Sequence, residues 1–294
     1  MHVVVGGASG LIGRALVASL EHDGARVTRL VRRDPAGPDE VRWLDGHPLD
    51  PAVLAGADAV VGLNGASIGR LPWTRRYRSE LVWSRLTPTR ALARAIEPLP
   101  AGERPLLVSA SGVGYYGSAP GRVLTEDAPA GDTFLAALCV EWENAARIAD
   151  DRVALLRTAP VVHAEGVLKP LIALTRAGVS GPIGPGTQAW PWISLDDEIA
   201  AIRHVIDAGL TGPVNLAGPT RATANDLGFA LAVRMNRPFV VPAPALALRA
   251  ALGADAAEGL LLADAHVVPD ALRTSGFAFR HPTVEDAIAA AIPA

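Results

Sequence analysis

Lysine is almost missing from this chain. Of 27 basic side chains only Lys169 is a lysine and the rest are arginines, so chemistry that needs a lysine amine has a single place to occur. Cys139 is the one cysteine. That excludes an internal disulfide and fits a reducing compartment. The seven histidines show no metal-ligand spacing with Cys or acidic residues, so no metal is expected. No run approaches the apolar length of a membrane span. Met1 leads directly into a buried-type strand with no basic region and apolar stretch of a secretory signal, so a cytoplasmic location is expected. With a formal net charge of -3, nothing electrostatic favours nucleic acid or an anionic membrane. Internal repeats and low-complexity tails are also missing. What remains is a chain of 294 residues, long enough for a full core and a second small lobe. Its expected partner is a small molecule, and monomer and homodimer both fit.

The most informative stretch is Val3–Leu16, VVVGGASGLIGRAL. A β-branched run ends in glycines and an apolar, helix-spaced pattern follows, with Gly7, Gly10 and Gly13 as GxxGxxG. In a dinucleotide fold the first glycine makes the tight turn, the second admits the pyrophosphate and the third lets helix and sheet pack closely. Ser9, Gly10, Leu11 and Ile12 then form the helix start, whose N–H groups and dipole favour phosphate. The spacing predicts a helix over Ile12–His22 and a second strand over Arg26–Val31. An NAD(H) site would carry an acid about 20 residues past the glycines. Here Arg32 and Arg33 stand at that strand end, which suits a 2′-phosphate and hence NADP(H). Two solvated arginines on an arginine-rich surface are the competing reading.

Val41–Leu44 reads as a third strand, with Leu44 and Asp45 beside the adenine. Ala52–Leu54 is a short helix. Ala59–Leu63 is the fourth strand, and Leu63, Asn64 and Gly65 lie at the carboxyl edge where such sheets bind ligands. After the polar, aromatic stretch Ser67–Tyr77 come a helix from about Arg78 to Glu97, a strand Leu106–Ser109, a small-residue loop SASGVGYYG, a helix Phe134–Asp150 and a strand Val153–Leu156. This alternation predicts an α/β, Rossmann-type doubly wound parallel sheet. After Arg157 the texture changes: Ala177–Trp192 is rich in Gly and Pro. Ser194 to Asp197 supplies a helix start before Glu198–Ala208, Val214–Leu216 is a strand, and Thr223 caps a helix to Met235. The tail from Phe239 reads as a strand, turns and alanine-rich helices. The expected division is residues 1–165 as the NADP-binding domain, helped by a strand near 213–217, and 166–294 as a smaller C-terminal lobe.

GGASGLIG at the start, SASGVGYYG after the fifth strand, LRT at the sixth and WPWISLDD before a late helix resemble the extended short-chain dehydrogenase/reductases. SRLTPTRAL, EDAPAGDTFLAALCVEWE and GFAFRHPT narrow the likeness to their atypical, epimerase-family oxidoreductase branch with a small C-terminal domain. The resemblance spans nearly the whole chain. It implies a Rossmann domain binding NADP(H), a C-terminal lobe closing on the substrate and an active site between them, with Val161 beside the cofactor. The wider family works with an Asn, a Ser, a Tyr and a Lys. Ser111 matches the Ser. Anchoring on Glu143 puts Leu135 where the Tyr belongs and Cys139 where the Lys belongs, and Arg85 falls at the Asn position. With Lys169 as the one lysine, YxxxK occurs nowhere in the chain, and a leucine cannot carry a proton.

The catalytic candidates are therefore Ser111, Tyr116 and Arg85. Tyr116 ranks ahead of Tyr115 because its place before Gly117 matches the loop tyrosine of the family the chain resembles. Packing against the C-terminal lobe is the competing role for both rings. Arg85 and Arg70 could hold an anionic substrate group or a cofactor phosphate. Cys139 reads as a small buried hydrophobe, Trp190 and Trp192 as pocket wall or core, His163 as a surface residue near the cleft, and Asp196 and Asp197 as helix-start residues. Two functions stay open: an NADP(H)-dependent oxidoreductase or epimerase with a non-standard acid, and a non-catalytic NADP(H)-binding sensor or scaffold.

Overall fold

Runs such as VVV and AVV are apolar on both faces because the sheet they form is covered on both faces. The computed structural model describes residues 1–293. Seven strands build one parallel sheet: β1 (His2–Gly6), β2 (Arg26–Val31), β3 (Glu40–Arg42), β4 (Ala59–Gly62), β5 (Leu106–Gly112), β7 (Val153–Thr158) and β10 (Gly212–Leu216), in the order β10-β7-β5-β4-β1-β2-β3. Two short parallel pairs stand apart from it: β6 (Val123–Leu124) with β11 (His266–Val267), and β8 (Val161–Val162) with β9 (Ile193–Ser194). Alternate strand residues serve opposite layers. Val3, Val5, Val61 and Leu156 pack with Leu16 and Leu20 of α1 (Leu11–His22) and with Ile199, Ile202 and Val205 of α5 (Leu195–Ala208). Val4, Val60, Leu107 and Leu155 pack with Leu92 and Ile96 of α2 (Arg75–Ile96) and with Ala146 of α3 (Phe134–Ala146).

Several elements run longer than their apolar pattern. α2 begins at Arg75 rather than Arg78, because Thr74 Oγ1 accepts the Tyr77 N–H at 3.2 Å and closes the first turn. α5 begins at Leu195, with Ser194 as its cap: Ser194 Oγ accepts the Asp197 N–H. β5 and β7 extend into polar sequence because they pair with each other, Ser111 opposite Arg157 and Gly112 opposite Thr158. The segment after Phe239 is not a strand. Val240 and Val241 donate both backbone N–H groups to the Ser180 carbonyl instead of a ladder, and the strand of this region is β11.

A second core holds Trp190, Trp192, Leu227, Leu231, Val284 and Ile288, contributed by the Gly/Pro-rich stretch, by α6 (Ala224–Arg234) and, beyond α7 (Ala245–Leu252), α8 (Ala254–Ala257) and α9 (Asp270–Thr274), by α10 (Val284–Ala291). α4 (Leu168–Arg176) lays Leu168 and Ile172 against it. Trp192 is 1 % exposed, and a Cβ on Gly218 would lie 2.6 Å from its ring. Core packing is thus the role of both tryptophans. A third cluster joins Trp73, Tyr77 and Leu81 to Leu135, Leu138 and Trp142, and Ala256 of α8 covers it. No helix among the described residues is long and apolar enough to cross a membrane.

Candidate functional site

Because the seven strands are parallel, their carboxyl ends share one edge. The strand order reverses direction between β1 and β4, which is where a doubly wound sheet opens a ligand crevice. Gly7 has φ +85°, and a Cβ there would sit 2.7 Å from the Leu63 carbonyl carbon. A Cβ on Gly13 would lie 2.3 Å from the Gly7 oxygen. These two glycines make the turn and the close helix approach. Gly10 differs: its added Cβ meets nothing nearer than the Gly7 oxygen at 3.5 Å, so its lack of a side chain keeps the crevice clear. α2, α3, α5 and α6 each start on a Thr or Ser that accepts a first-turn N–H. α1 starts on Gly10 with no side-chain cap, and its first internal bond is Arg14 N–H to the Gly10 carbonyl. The N–H groups of Leu11, Ile12 and Gly13 stay available to an anion.

The structure separates the two arginines after β2. Arg33 donates to both carboxylate oxygens of Glu40, at 2.6 and 2.7 Å, and this bond holds the Glu40 carboxyl down to about 2. Arg32 is exposed and forms no ion pair among the described residues. It is the free guanidinium at the strand end. The next strand stops at Arg42, short of the expected Leu44, which lies beyond it in a left-handed conformation, φ +55°, with exposed Asp45 following. Asn64 Oδ1 and Trp43 Nε1 are buried without partners, and both side chains lie against Gly6. Leu63 and Val161 are half-buried on either side of the crevice. The cradle fits a dinucleotide: an open glycine, three free N–H groups and one free guanidinium.

Deeper along the edge lies a buried ionic network that the apolar pattern does not disclose. Arg157 of β7 donates from Nε and Nη2 to the two oxygens of Glu143 on α3, at 2.9 and 3.0 Å. Burial opposes the Arg157 charge, but the bonds to Glu143 outweigh it and raise its pKa above the ordinary arginine value. Arg157 Nη1 donates to Tyr116 Oη and to the Glu126 carbonyl, both at 2.9 Å. Tyr116 Oη donates in turn to Asn215 Oδ1 at 2.7 Å. Ser111 Oγ donates to Glu143 Oε1 at 2.9 Å. Glu126 Oε1 accepts the N–H groups of Asn215 and Ala271, which joins the network to the C-terminal segment.

This geometry corrects the ranking of the two tyrosines. Tyr116 is 2 % exposed and its hydroxyl is committed in both directions. Burial pushes its pKa up to about 12, so it cannot serve as a proton donor at the crevice. Tyr115 lies half-buried on the same loop with Arg157 3.5 Å below its ring centroid, and its hydroxyl has no partner among the described residues. Where the wider family would place its Tyr, Leu135 is 7 % exposed beneath Trp73 and Gly259. Cys139 is a buried thiol raised by burial to about 11, and so neither nucleophile nor cation at neutral pH. Arg85 is buried on α2 near Cys139, while Arg70 is exposed and stacks on the Tyr77 ring at 5.0 Å. His163 is half-buried and accepts the Glu165 N–H. Asp197 accepts the backbone N–H groups of Arg280 and His281 and so ties the chain end to α5.

The pattern also missed Glu198. Its side chain is fully buried on the opposite face of the sheet, with Oε1 accepting Thr158 Oγ1–H at 2.9 Å and Oε2 unpartnered. Desolvation raises its pKa to about 8. The available signal was an acid on the inward side of an otherwise apolar helix face.

A parallel doubly wound sheet, a glycine turn into an uncapped helix and a crevice at the strand reversal define a dinucleotide-binding protein of the Rossmann class. The chain belongs to the NAD dependent epimerase/dehydratase family, whose model matches residues 3–217, and residues 243–291 match a domain of unknown function, DUF1731. Among its relatives is epimerase family protein Mb2239 of Mycobacterium bovis, 40% identical, covering 97% of this chain and 96% of that one. The human epimerase family protein SDR39U1 is 32% identical over 98% of both chains. The crystal structure of human SDR39U1 isoform 2 with NADPH superposes with TM-score 0.88 at 30% identity, covering 99% of each chain. A nucleoside-diphosphate sugar epimerase from Corynebacterium glutamicum superposes with TM-score 0.79, covering 99% of this chain and 58% of its own. The chain is thus an atypical short-chain dehydrogenase/reductase, in agreement with its sequence motifs.

Two stability measurements check the buried groups. Glu143→Ala strands the Arg157 charge inside the protein and should destabilise the fold by about 3–5 kcal/mol, read as a lower denaturant midpoint. An unchanged midpoint would show that the pair is not buried as described. For Glu198 the folded pKa, about 8, lies above the ordinary carboxylate value of 4.5. Its contribution is fully present at acid pH and is lost as pH rises through that window. Glu198→Gln should therefore flatten the decline in stability between these two pH values, and parallel curves for the two proteins would refute the assignment.

Proposed function

We propose that the chain binds NADP(H) in the crevice at the carboxyl edge of its sheet and acts as an oxidoreductase or epimerase on a small carbonyl or hydroxyl compound. One observation carries the cofactor assignment: the uncapped α1 N-terminus with open Gly10 lies at the same edge as the unpaired Arg32. The structure of human SDR39U1 with NADPH supports it from outside. The Leu11, Ile12 and Gly13 N–H groups would take the pyrophosphate, Arg32 the 2′-phosphate, and Leu44 and Asp45 would flank the adenine. Leu63, Asn64, Gly65 and Val161 would line the remainder. When bound, the cofactor supplies or accepts a hydride.

The residues of the chain would handle the substrate oxygen. Ser111 donates its hydroxyl hydrogen bond to Glu143, so its oxygen keeps acceptor capacity and suits a substrate hydroxyl. Arg157 holds Glu143 in that role. Tyr115 has the loop hydroxyl left free to exchange a proton. The C-terminal lobe would close over this side, a reading supported by the packing of Gly259 and Ala256 on the Leu135 and Trp73 cluster. A single free buried thiol suits the reducing cytoplasm.

A second reading, NADP(H) binding without turnover, is favoured by Leu135 and Cys139, which remove the family's usual acid and its lysine. Two experiments test the assignment, the first the cofactor and the second the turnover that separates the readings. In calorimetric titration NADPH should bind more tightly than NADH. Arg32→Ala should reduce that preference about tenfold or more, the worth of a charge-assisted bond of about 1.5–3 kcal/mol. Gly10→Val should abolish binding while the protein still melts near the wild-type temperature. Equal affinities for the two cofactors would sink the assignment. In an NADPH-oxidation screen over carbonyl compounds, any turnover found should fall in Tyr115→Phe with cofactor affinity unchanged, whereas a screen silent for every compound favours the second reading.

A further inference from the structure

The chain buries two guanidinium groups at the active-site edge and supplies a carboxylate to only one of them. Arg157 has both oxygens of Glu143. Arg85 is 8 % exposed and has no carboxylate within ion-pair reach among the described residues. Its Nη1 donates to the Leu81 carbonyl and its Nη2 to the Ala66 carbonyl, both at 3.0 Å. Its Cζ lies 5.1 Å from the Trp142 ring centroid. These are neutral partners, and a desolvated charge that meets only neutral partners is left without its counter-charge. The neighbouring thiol of Cys139 is held neutral by burial. Asp255, the acid that α8 brings toward this cluster, is taken by Arg78.

One side of the guanidinium meets only a glycine. Arg85 lies against Gly65, immediately beyond β4 at the carboxyl edge. A Cβ on that exposed glycine would come within 3.1 Å of Arg85 Cζ and 3.3 Å of Nη2. Any other residue at 65 would therefore cover the group. A second cation stands nearby: Arg70 on the same loop forms no ion pair and stacks on Tyr77, two turns before Arg85 on α2. A planar, always-charged fork with free donors in a partly dry corner matches a carboxylate or a phosphate oxygen pair.

We propose that Arg85 is the recognition residue for an anionic group, a carboxylate or a phosphate, carried by the substrate, with Arg70 as a second cation at the rim. The assignment rests on the NADP(H)-dependent reading above for where the substrate lies. It narrows the substrate class from carbonyl or hydroxyl compounds in general to acids and phosphate esters among them.

The test uses the full chain saturated with NADPH and titrated at constant ionic strength with two probes, malonate and inorganic phosphate. Wild type should bind at least one of them saturably. Arg85→Met should weaken that binding about tenfold or more, Arg94→Met, on the exposed end of α2, should not change it, and the NADPH affinity of Arg85→Met should stay at the wild-type value. No saturable binding to wild type overturns the proposal, as does equal binding to Arg85→Met. A matching loss of NADPH affinity in that variant also overturns it, because Arg85 would then serve a cofactor phosphate. Should Arg85→Met fail to fold, Arg85→Lys keeps the charge without the fork and should weaken anion binding severalfold, with unchanged binding counting against the proposal. If wild type takes no NADPH, the cofactor reading fails, while the same titrations on the bare protein still decide Arg85.

Discussion

The buried pair between Arg157 and Glu143 is the interaction on which the carboxyl edge of the sheet depends. It joins a sheet strand to α3, and each remaining donor or acceptor of the pair is used by a different part of the chain. Ser111 comes from β5, Tyr116 from the loop after it, Asn215 from β10, and Glu126 extends the network to Ala271. A charge pair removed from water is weak as a source of stability but severe when broken. Its value here is positional. Segments of the chain from Ser111 to Ala271 are held in one arrangement, because any other leaves a charge or a hydroxyl buried without a partner.

That constraint explains how the site departs from the chemistry of its wider family. A tyrosine in the Tyr116 position is drawn into the network as a structural hydroxyl. Of the positions that would hold an acid and a lysine, 135 is a leucine packed against Gly259 of the C-terminal lobe and 139 is a buried cysteine. Position 139 bears a neutral thiol, and the nearby positive charge comes from Arg85 on another helix. The site is left with an acceptor serine, one free tyrosine hydroxyl and an unpaired guanidinium. That inventory suits binding and orienting an oxygen-bearing anion better than delivering a proton rapidly.

Glu198 makes a related point on the opposite face. A carboxyl buried with a single hydrogen bond is kept in its neutral form by desolvation, so helix α5 holds a polar group against the end of β7 without a counter-ion. The crevice at the carboxyl edge is bounded by unmet polar groups, the α1 N–H groups and Arg32, with Asn64 Oδ1 and Trp43 Nε1 buried behind Gly6.

Local chemistry was enough to reveal much of this protein. Short β-branched apolar runs marked the strands, and Gly7, Gly10 and Gly13 marked the β1–α1 turn. Ser194 and Thr223 marked helix starts, because caps and turns act over a few residues and leave their signature where they act. A single lysine, Lys169, with no tyrosine four residues before it, ruled out YxxxK. Other features are contacts between distant residues, and no spacing encodes them. Arg32 and Arg33 are equivalent in sequence, and only the approach of Glu40 from the next strand leaves one of them free. Tyr115 and Tyr116 are adjacent, and only Asn215, 99 residues away, decides which hydroxyl is consumed. The residues after Phe239 look strand-like, yet they find no ladder to join. Whether a buried charge has a partner is likewise decided by the tertiary structure, since Coulomb attraction and desolvation depend on the distance between side chains and not on their order along the chain.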